Sequence, residues 1–145
     1  MLPQQKVTIG RREWATLPDF GLLKLDVKVD TGAYTSSIHV DSCYEKDGKL
    51  HVIFLDDKHP AFNGKEIVFT QYRIKKVKSS NGESQERFFV KGNICIAALC
   101  FETEFSLTRR KGMRFPILLG RKLLNKRFVV DTSLKYMHQF ISNTI

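Results

Sequence analysis

Asp30 is the residue around which chemistry could be built. Val29-Asp30-Thr31-Gly32-Ala33 reads as a strand that runs into a sharp turn holding a carboxylate. An amide resists hydrolysis at neutral pH. One chemical solution is a pair of carboxylates that share a proton, one deprotonating the attacking water while the other protonates the carbonyl oxygen. Like charges at hydrogen-bonding distance cannot both ionise cheaply, so such a pair titrates as one coupled unit. The plain alternative is a turn aspartate that satisfies nearby backbone N–H groups. Lys28, two residues earlier, shares a strand face with Asp30 by period-2 spacing, and a cation there favours the ionised carboxylate. Asp131, in Val130-Asp131-Thr132-Ser133, is a superficial second copy. It lies near the end of a chain too short for a second lobe, and we read it as structural.

Other catalytic chemistries find little footing. Catalytic zinc needs about three converging protein ligands, and its strongest sequence sign is a His-Glu-x-x-His helix. That pattern does not occur, and His39, His51, His59 and His138 are scattered, as surface or satisfied histidines are. A Gly-rich phosphate loop is also missing, so neither metal nor nucleotide is expected as a cofactor. Three cysteines, Cys43, Cys95 and Cys100, cannot all pair within one chain, and the reading is three free thiols in or near the core.

The elements that must position Asp30 are strands. Over residues 22–30, Leu23, Leu25, Val27 and Val29 alternate with Lys24, Asp26, Lys28 and Asp30, which predicts a half-buried strand ending at the carboxylate. Further strand-like runs cover 50–55, 66–78, 87–90, 94–107 and 128–131, rich in Val, Ile, Phe, Tyr and Thr. Asp47-Gly48, Asn63-Gly64 and Asn81-Gly82 are dipeptides that tolerate positive φ and favour tight hairpins. The one helix signal is short, at 121–126, where Leu123 and Leu124 can turn inward. The stretch 79–84 is either a hairpin tip that closes over substrate or an exposed turn. The fold expected is mainly β.

With 145 residues, the chain has the length of one domain, and a single domain over 1–145 is expected. No apolar run approaches the roughly 20 residues of a membrane helix, and the N-terminal residues lack an export signal, which points to a cytoplasmic protein. The net charge of +9 creates a field that concentrates acidic partners: an acidic peptide first, nucleic acid second.

A second segment gives the turn its context. Phe115-Pro116-Ile117-Leu118-Leu119-Gly120-Arg121-Lys122-Leu123-Leu124 reads as a buried strand running into a short helix. Together with Asp30-Thr31-Gly32-Ala33 it resembles the two signatures of retropepsins, in the same order and with the same wide separation. Ile9-Gly10-Arg11-Arg12-Glu13-Trp14, Leu17-Pro18, Thr35-Ser36, Ser79-Ser80-Asn81-Gly82 and Val130-Asp131 extend the match over nearly the whole chain. With them the chain resembles the bacterial and archaeal retropepsin-like (RimB-like) family named ATP-dependent zinc proteases.

The resemblance implies a closed, acid-protease β-barrel with one short C-terminal helix. It implies an aspartic peptidase whose catalytic dyad takes Asp30 from each of two copies, so a homodimer with the site on its two-fold axis. Thr31 would lock the two loops together, Gly32 would let the backbone approach substrate, and Ala33 would keep the floor small. Gly120 and Arg121 would support the loop from below. Viral retropepsins commonly carry an acidic residue after Asp-Thr-Gly-Ala that pairs with this arginine. Tyr34 stands there, so Arg121 needs another partner. The family's association with ligases that add glutamate, taken with the charge of +9, points to acidic or glutamylated tails as substrate. The rival reading is an inactive peptidase-fold module that holds RNA, a ribosomal component or another acidic partner on its basic surface.

Overall fold

The computed structural model describes residues 5–78, 82–109 and 115–138. Its strands in chain order are β1 (Val7–Gly10), β2 (Arg12–Leu17), β3 (Leu22–Val29), β4 (Ser36–Lys46), β5 (Lys49–Phe54), β6 (Glu66–Phe69), β7 (Arg73–Lys78), β8 (Ser84–Ile96), β9 (Leu99–Thr108), β10 (Ile117–Leu119) and β11 (Phe128–Asp131). Among the described residues the one α-helix, α1, is a single turn at Arg121–Leu124. The chain is mainly β, as the alternation predicts.

Six strands close on themselves in the order β10-β3-β2-β8-β9-β4, because β10 pairs in parallel with β3 and antiparallel with β4. Closure removes the sheet edges that would otherwise expose unpaired backbone. The interior holds Leu25, Val27, Ile38, Val40, Val90, Ile94, Phe105, Ile117 and Leu119, all buried. β5 and β6 extend the sheet from β4, β7 pairs with β8, and β1 pairs in parallel with β11 as a separate two-stranded sheet.

Several elements depart from the sequence expectation. Leu23 is 65% exposed while Leu22 is buried. Between the pairs Ala15–Leu25 and Leu17–Leu22, β3 carries one residue more than β2, and this irregularity turns Leu22 inward instead. The run 66–78 is two strands rather than one, separated by residues 70–72. The run 94–107 is the end of β8, a turn, and β9, because Ala97 and Ala98 both take positive φ, at 52° and 64°. Two successive left-handed residues make a tight hairpin turn, and alanines carry no sign of it in sequence. β8 is longer than the runs within it predict, and β1, β2 and β4 lie outside every strand-like run of the sequence. Asp47 (φ 53°) and Gly48 (φ 72°) form the expected tight turn between β4 and β5. Asn63-Gly64 instead lies within the longer connection 55–65.

That unexpected hairpin also corrects the cysteine reading. It sets Cys95 opposite Cys100 in register, and the two are joined as a disulfide; Cys43 alone is free, and it is buried. Within the stretch 79–84, Ser79, Ser80 and Asn81 lie outside the described residues.

Candidate active site

Asp30 sits one residue past β3, where its backbone N–H donates to Leu119 O at 2.9 Å and so continues the β3–β10 pairing. The chain then turns sharply. Gly32 N–H donates to Asp30 Oδ1 at 3.0 Å and Ala33 N–H donates to Asp30 O at 3.2 Å. A side chain at Gly32 would crowd that carboxylate, since its Cβ would lie 3.3 Å from Asp30 Oδ1. Asp30 is half-buried, and Thr31 and Gly32 are exposed, so the loop presents one carboxylate oxygen to a backbone amide at the molecular surface.

The support for this loop comes from the Gly-Arg segment. Arg121 N–H donates to Ala33 O at 2.8 Å and Lys122 N–H donates to Tyr34 O at 2.9 Å, so the first amides of α1 hold the loop's carbonyls. Gly120 N–H donates to the buried Ser36 Oγ at 3.0 Å. Gly120 has to be a glycine here, because a Cβ would stand 2.7 Å from Tyr34 O. Arg121 finds its partner in the loop's own backbone: Nη1 donates to Thr31 O at 3.0 Å, and the guanidinium lies 5.8 Å from the centroid of the Tyr34 ring. Tyr34 therefore replaces an ion pair with a ring contact, and Arg121 keeps its place beneath the turn.

The site residues read from sequence thus fall into one cluster: Asp30, Thr31, Gly32, Ala33, Gly120 and Arg121 are joined by direct hydrogen bonds or chain continuity. Lys28 is exposed on β3, with its ammonium 5.5 Å from the Phe115 ring centroid. Asp131 lies on β11, where its carboxylate accepts from the Ser133 N–H at 3.0 Å and from the Ser133 hydroxyl at 2.5 Å. Those hydrogen bonds hold its carboxyl below the usual range.

A groove with a cavity volume of about 1190 Å³ opens beside the loop. Ala33, Thr35 and Ser37 line it on the loop side, and Lys75, Arg87 and Phe89 of the β7–β8 hairpin line it opposite. Arg109 adds a further cation and Glu86 an anion, so the described lining is net basic. Ser106, on β9 between the two sides, is 4% exposed, and among the described residues its hydroxyl has no hydrogen-bond partner. Sequence reasoning missed Ser36, Ser37 and Ser106, since isolated serines in strands carry no distinguishing pattern. Only Thr35-Ser36, within the family resemblance, pointed near them.

The residues do not fit a resident zinc ion. Among the described residues no three His, Cys, Asp or Glu side chains converge. His39 is buried, with Nε2 3.2 Å from Asp56 Oδ2, a contact whose angle does not make a hydrogen bond. His51 Nδ1 lies 2.7 Å from Glu66 Oε1 on the outer face of β5 and β6. Burial pushes His59 down, and its Nδ1 accepts from the Ala61 N–H at 3.0 Å. Among the described residues no helix is long and apolar enough to cross a membrane.

Comparison with known proteins points the same way as the loop. Residues 8–140 match the RimB-like family, described as the retropepsin-like aspartic endopeptidase RimB. A protein of Shewanella pealeana named probable alpha-L-glutamate ligase is 33% identical over 138 residues, which is 91% of this chain and 30% of that protein. A Shewanella halifaxensis protein of the same name is 32% identical, with the same coverage. The chain thus spans about a third or less of the curated relatives it matches. A crystal structure of a Legionella pneumophila protein of unknown function superposes with a TM-score of 0.69 at 29% identity, covering 92% of this chain and 98% of that one.

Proposed function

Because the chain belongs to the RimB-like family of retropepsin-like aspartic endopeptidases, we propose that it hydrolyses peptide bonds through Asp30. The observation that carries this reading is the suspension of the Asp30 loop. Two α1 amides, the Arg121 guanidinium and the Leu119 carbonyl fix its backbone, and Ala33 of the same loop lines a groove large enough for an extended peptide. A site held this rigidly is preorganised for catalysis.

One carboxylate cannot both activate water and protonate the carbonyl, so a second Asp30 comes from a second copy related by a two-fold axis. In the dyad one Asp30 is ionised and takes a proton from water. The other is protonated and gives its proton to the carbonyl oxygen as the tetrahedral diol forms. Collapse of the diol breaks the C–N bond: the amine leaves with the proton the first Asp30 had taken, and a diol hydroxyl returns its proton to the second Asp30, which restores the dyad and leaves the carboxylic acid. Thr31, exposed beside the carboxylate, meets its counterpart across the axis.

The substrate proposed is an acidic tail. Lys75, Arg87 and Arg109 line the groove against one acid, Glu86. The relatives' name, probable alpha-L-glutamate ligase, supports a link with glutamyl chains. The rival is a non-catalytic module that holds an acidic partner or RNA, supported by the same charge and by the chain's match to only 30% of those relatives.

Product release from a mixed peptide library that includes poly-glutamate sequences, with and without chelator, separates the two. Cleavage lost in Asp30→Asn and indifferent to chelator is the expected result. Salt-sensitive binding of acidic ligands without cleavage by either protein establishes the module instead.

A further inference from the structure

Glu104 ties the two sides of the groove together. It lies on β9 two residues before Ser106, on the same strand face as the groove-lining Ser106 and Thr108. Its carboxylate accepts from two nitrogens of Arg73, from Nη2 at 2.7 Å and Nε at 3.1 Å. Arg73 opens β7 and reaches across β8 to do this, with its guanidinium 4.6 Å above the ring of Phe89, its own partner in register. On the other side Lys122 Nζ lies 3.8 Å from Glu104 Oε1. Lys122 belongs to α1, and its backbone N–H holds Tyr34 O of the Asp30 loop. Lys91, opposite Glu104 across the β8–β9 ladder, is the third cation near it.

An exposed ion pair between adjacent strands contributes little. Glu104 differs in two respects: its side chain is only 9% exposed, and its partners belong to different elements. Two-point attachment to a guanidinium fixes direction as well as distance. The sequence of contacts runs from the β7–β8 hairpin through Arg73, Glu104 and Lys122 to the loop that carries Asp30.

We propose that Glu104 is a positioning residue that couples the β7–β8 hairpin to the Asp30 loop, so that the groove's hairpin side and its catalytic side become ordered together. The coupling stands on the contacts alone; its effect on turnover rests on the peptidase reading. Substrate seated in the groove touches both sides, so loosening the link weakens substrate capture more than the chemical step.

The test is hydrogen–deuterium exchange of the intact protein with peptide kinetics, on wild type, Glu104→Gln, Lys122→Met and the double variant. In Glu104→Gln, exchange of the β7–β8 amides and of the amides of residues 30–34 rises together, by about fivefold, and KM rises by about the same factor while kcat stays within about twofold. Lys122→Met speeds exchange of residues 30–34 alone, and the double variant exchanges there no faster than Glu104→Gln, because one path has already been cut. Faster exchange confined to β7–β8, or additive effects of the two substitutions on residues 30–34, overturns the coupling. Joint loosening in Glu104→Gln of a protein that cleaves no peptide leaves the coupling standing and sinks the peptidase reading.

Discussion

The guanidinium of Arg121 donates to the main-chain carbonyl of Thr31 at 3.0 Å, so the residue that follows the proposed catalytic aspartate is held by its backbone. Retropepsin-like loops can hold this arginine with an acidic side chain. Here a carbonyl and the Tyr34 ring take that part. The support is thus a backbone carbonyl and a ring rather than a second carboxylate.

Arg121→Lys keeps the charge and loses the fork. We expect it to destabilise the protein by about 1–2 kcal/mol and to lower kcat by about tenfold, because a lysine ammonium cannot meet the Thr31 carbonyl and lie flat beside Tyr34 at once. Thermal melting and steady-state kinetics check this. Unchanged values for both would show that the α1 amides suffice.

Glu13 is a buried carboxylate with a structural task. It accepts from the N–H groups of Gly10 at 2.8 Å and Met137 at 3.0 Å through Oε2, and of His138 at 3.3 Å through Oε1. The segment after β11 is thereby strapped along β2, and Tyr136 N–H donates to Arg12 O at 2.8 Å. Glu13→Ala leaves three amides without their acceptor and is expected to cost about 3 kcal/mol or more. Denaturant unfolding measures the loss. A variant within about 0.5 kcal/mol of wild type contradicts this role.

Acid should weaken the fold through two carboxylate clasps. The hydrogen bond from His51, and then that from Tyr44, holds Glu66 below its ordinary value of 4.5; that from Arg73 does the same for Glu104. A carboxyl whose folded value is depressed adds stability above its unfolded value, and that stability is lost as pH falls through the folded one. The window is therefore below about pH 4.5. Urea midpoints followed downward from about pH 6 should fall more steeply for wild type than for a Glu66→Gln/Glu104→Gln variant. Parallel curves would mean that these contacts do not hold in solution.

Parts of this architecture were legible in sequence. Asp30 to Ala33 and Gly120-Arg121 could be read because the two segments together resemble the paired signatures of one family; the structural reason for Gly120, its contact with the Tyr34 carbonyl, was not visible in sequence. The inward row Leu25, Val27, Val29 could be read because alternation has one physical cause. Leu23 misled because β3 carries an extra residue against β2 between Leu22 and Leu25, and strict alternation in sequence gives no sign of such a bulge. The β8–β9 turn was invisible because Ala97-Ala98 has no turn chemistry, and missing it also hid the Cys95–Cys100 bond. The Glu104 clasp depends on Arg73, Lys91 and Lys122, which the β7–β8 pairing, the β8–β9 ladder and the position of α1 bring together.

Subunit mixing tests the central claim most directly. Wild type and Asp30→Asn chains are refolded together in varying ratio, and cleavage of an acidic peptide is measured at constant total protein. If each active site needs Asp30 from two copies, activity falls as the square of the wild-type fraction, to about a quarter at an equal mixture. A linear fall, to about half, would show that one Asp30 per chain is enough and would contradict the dyad.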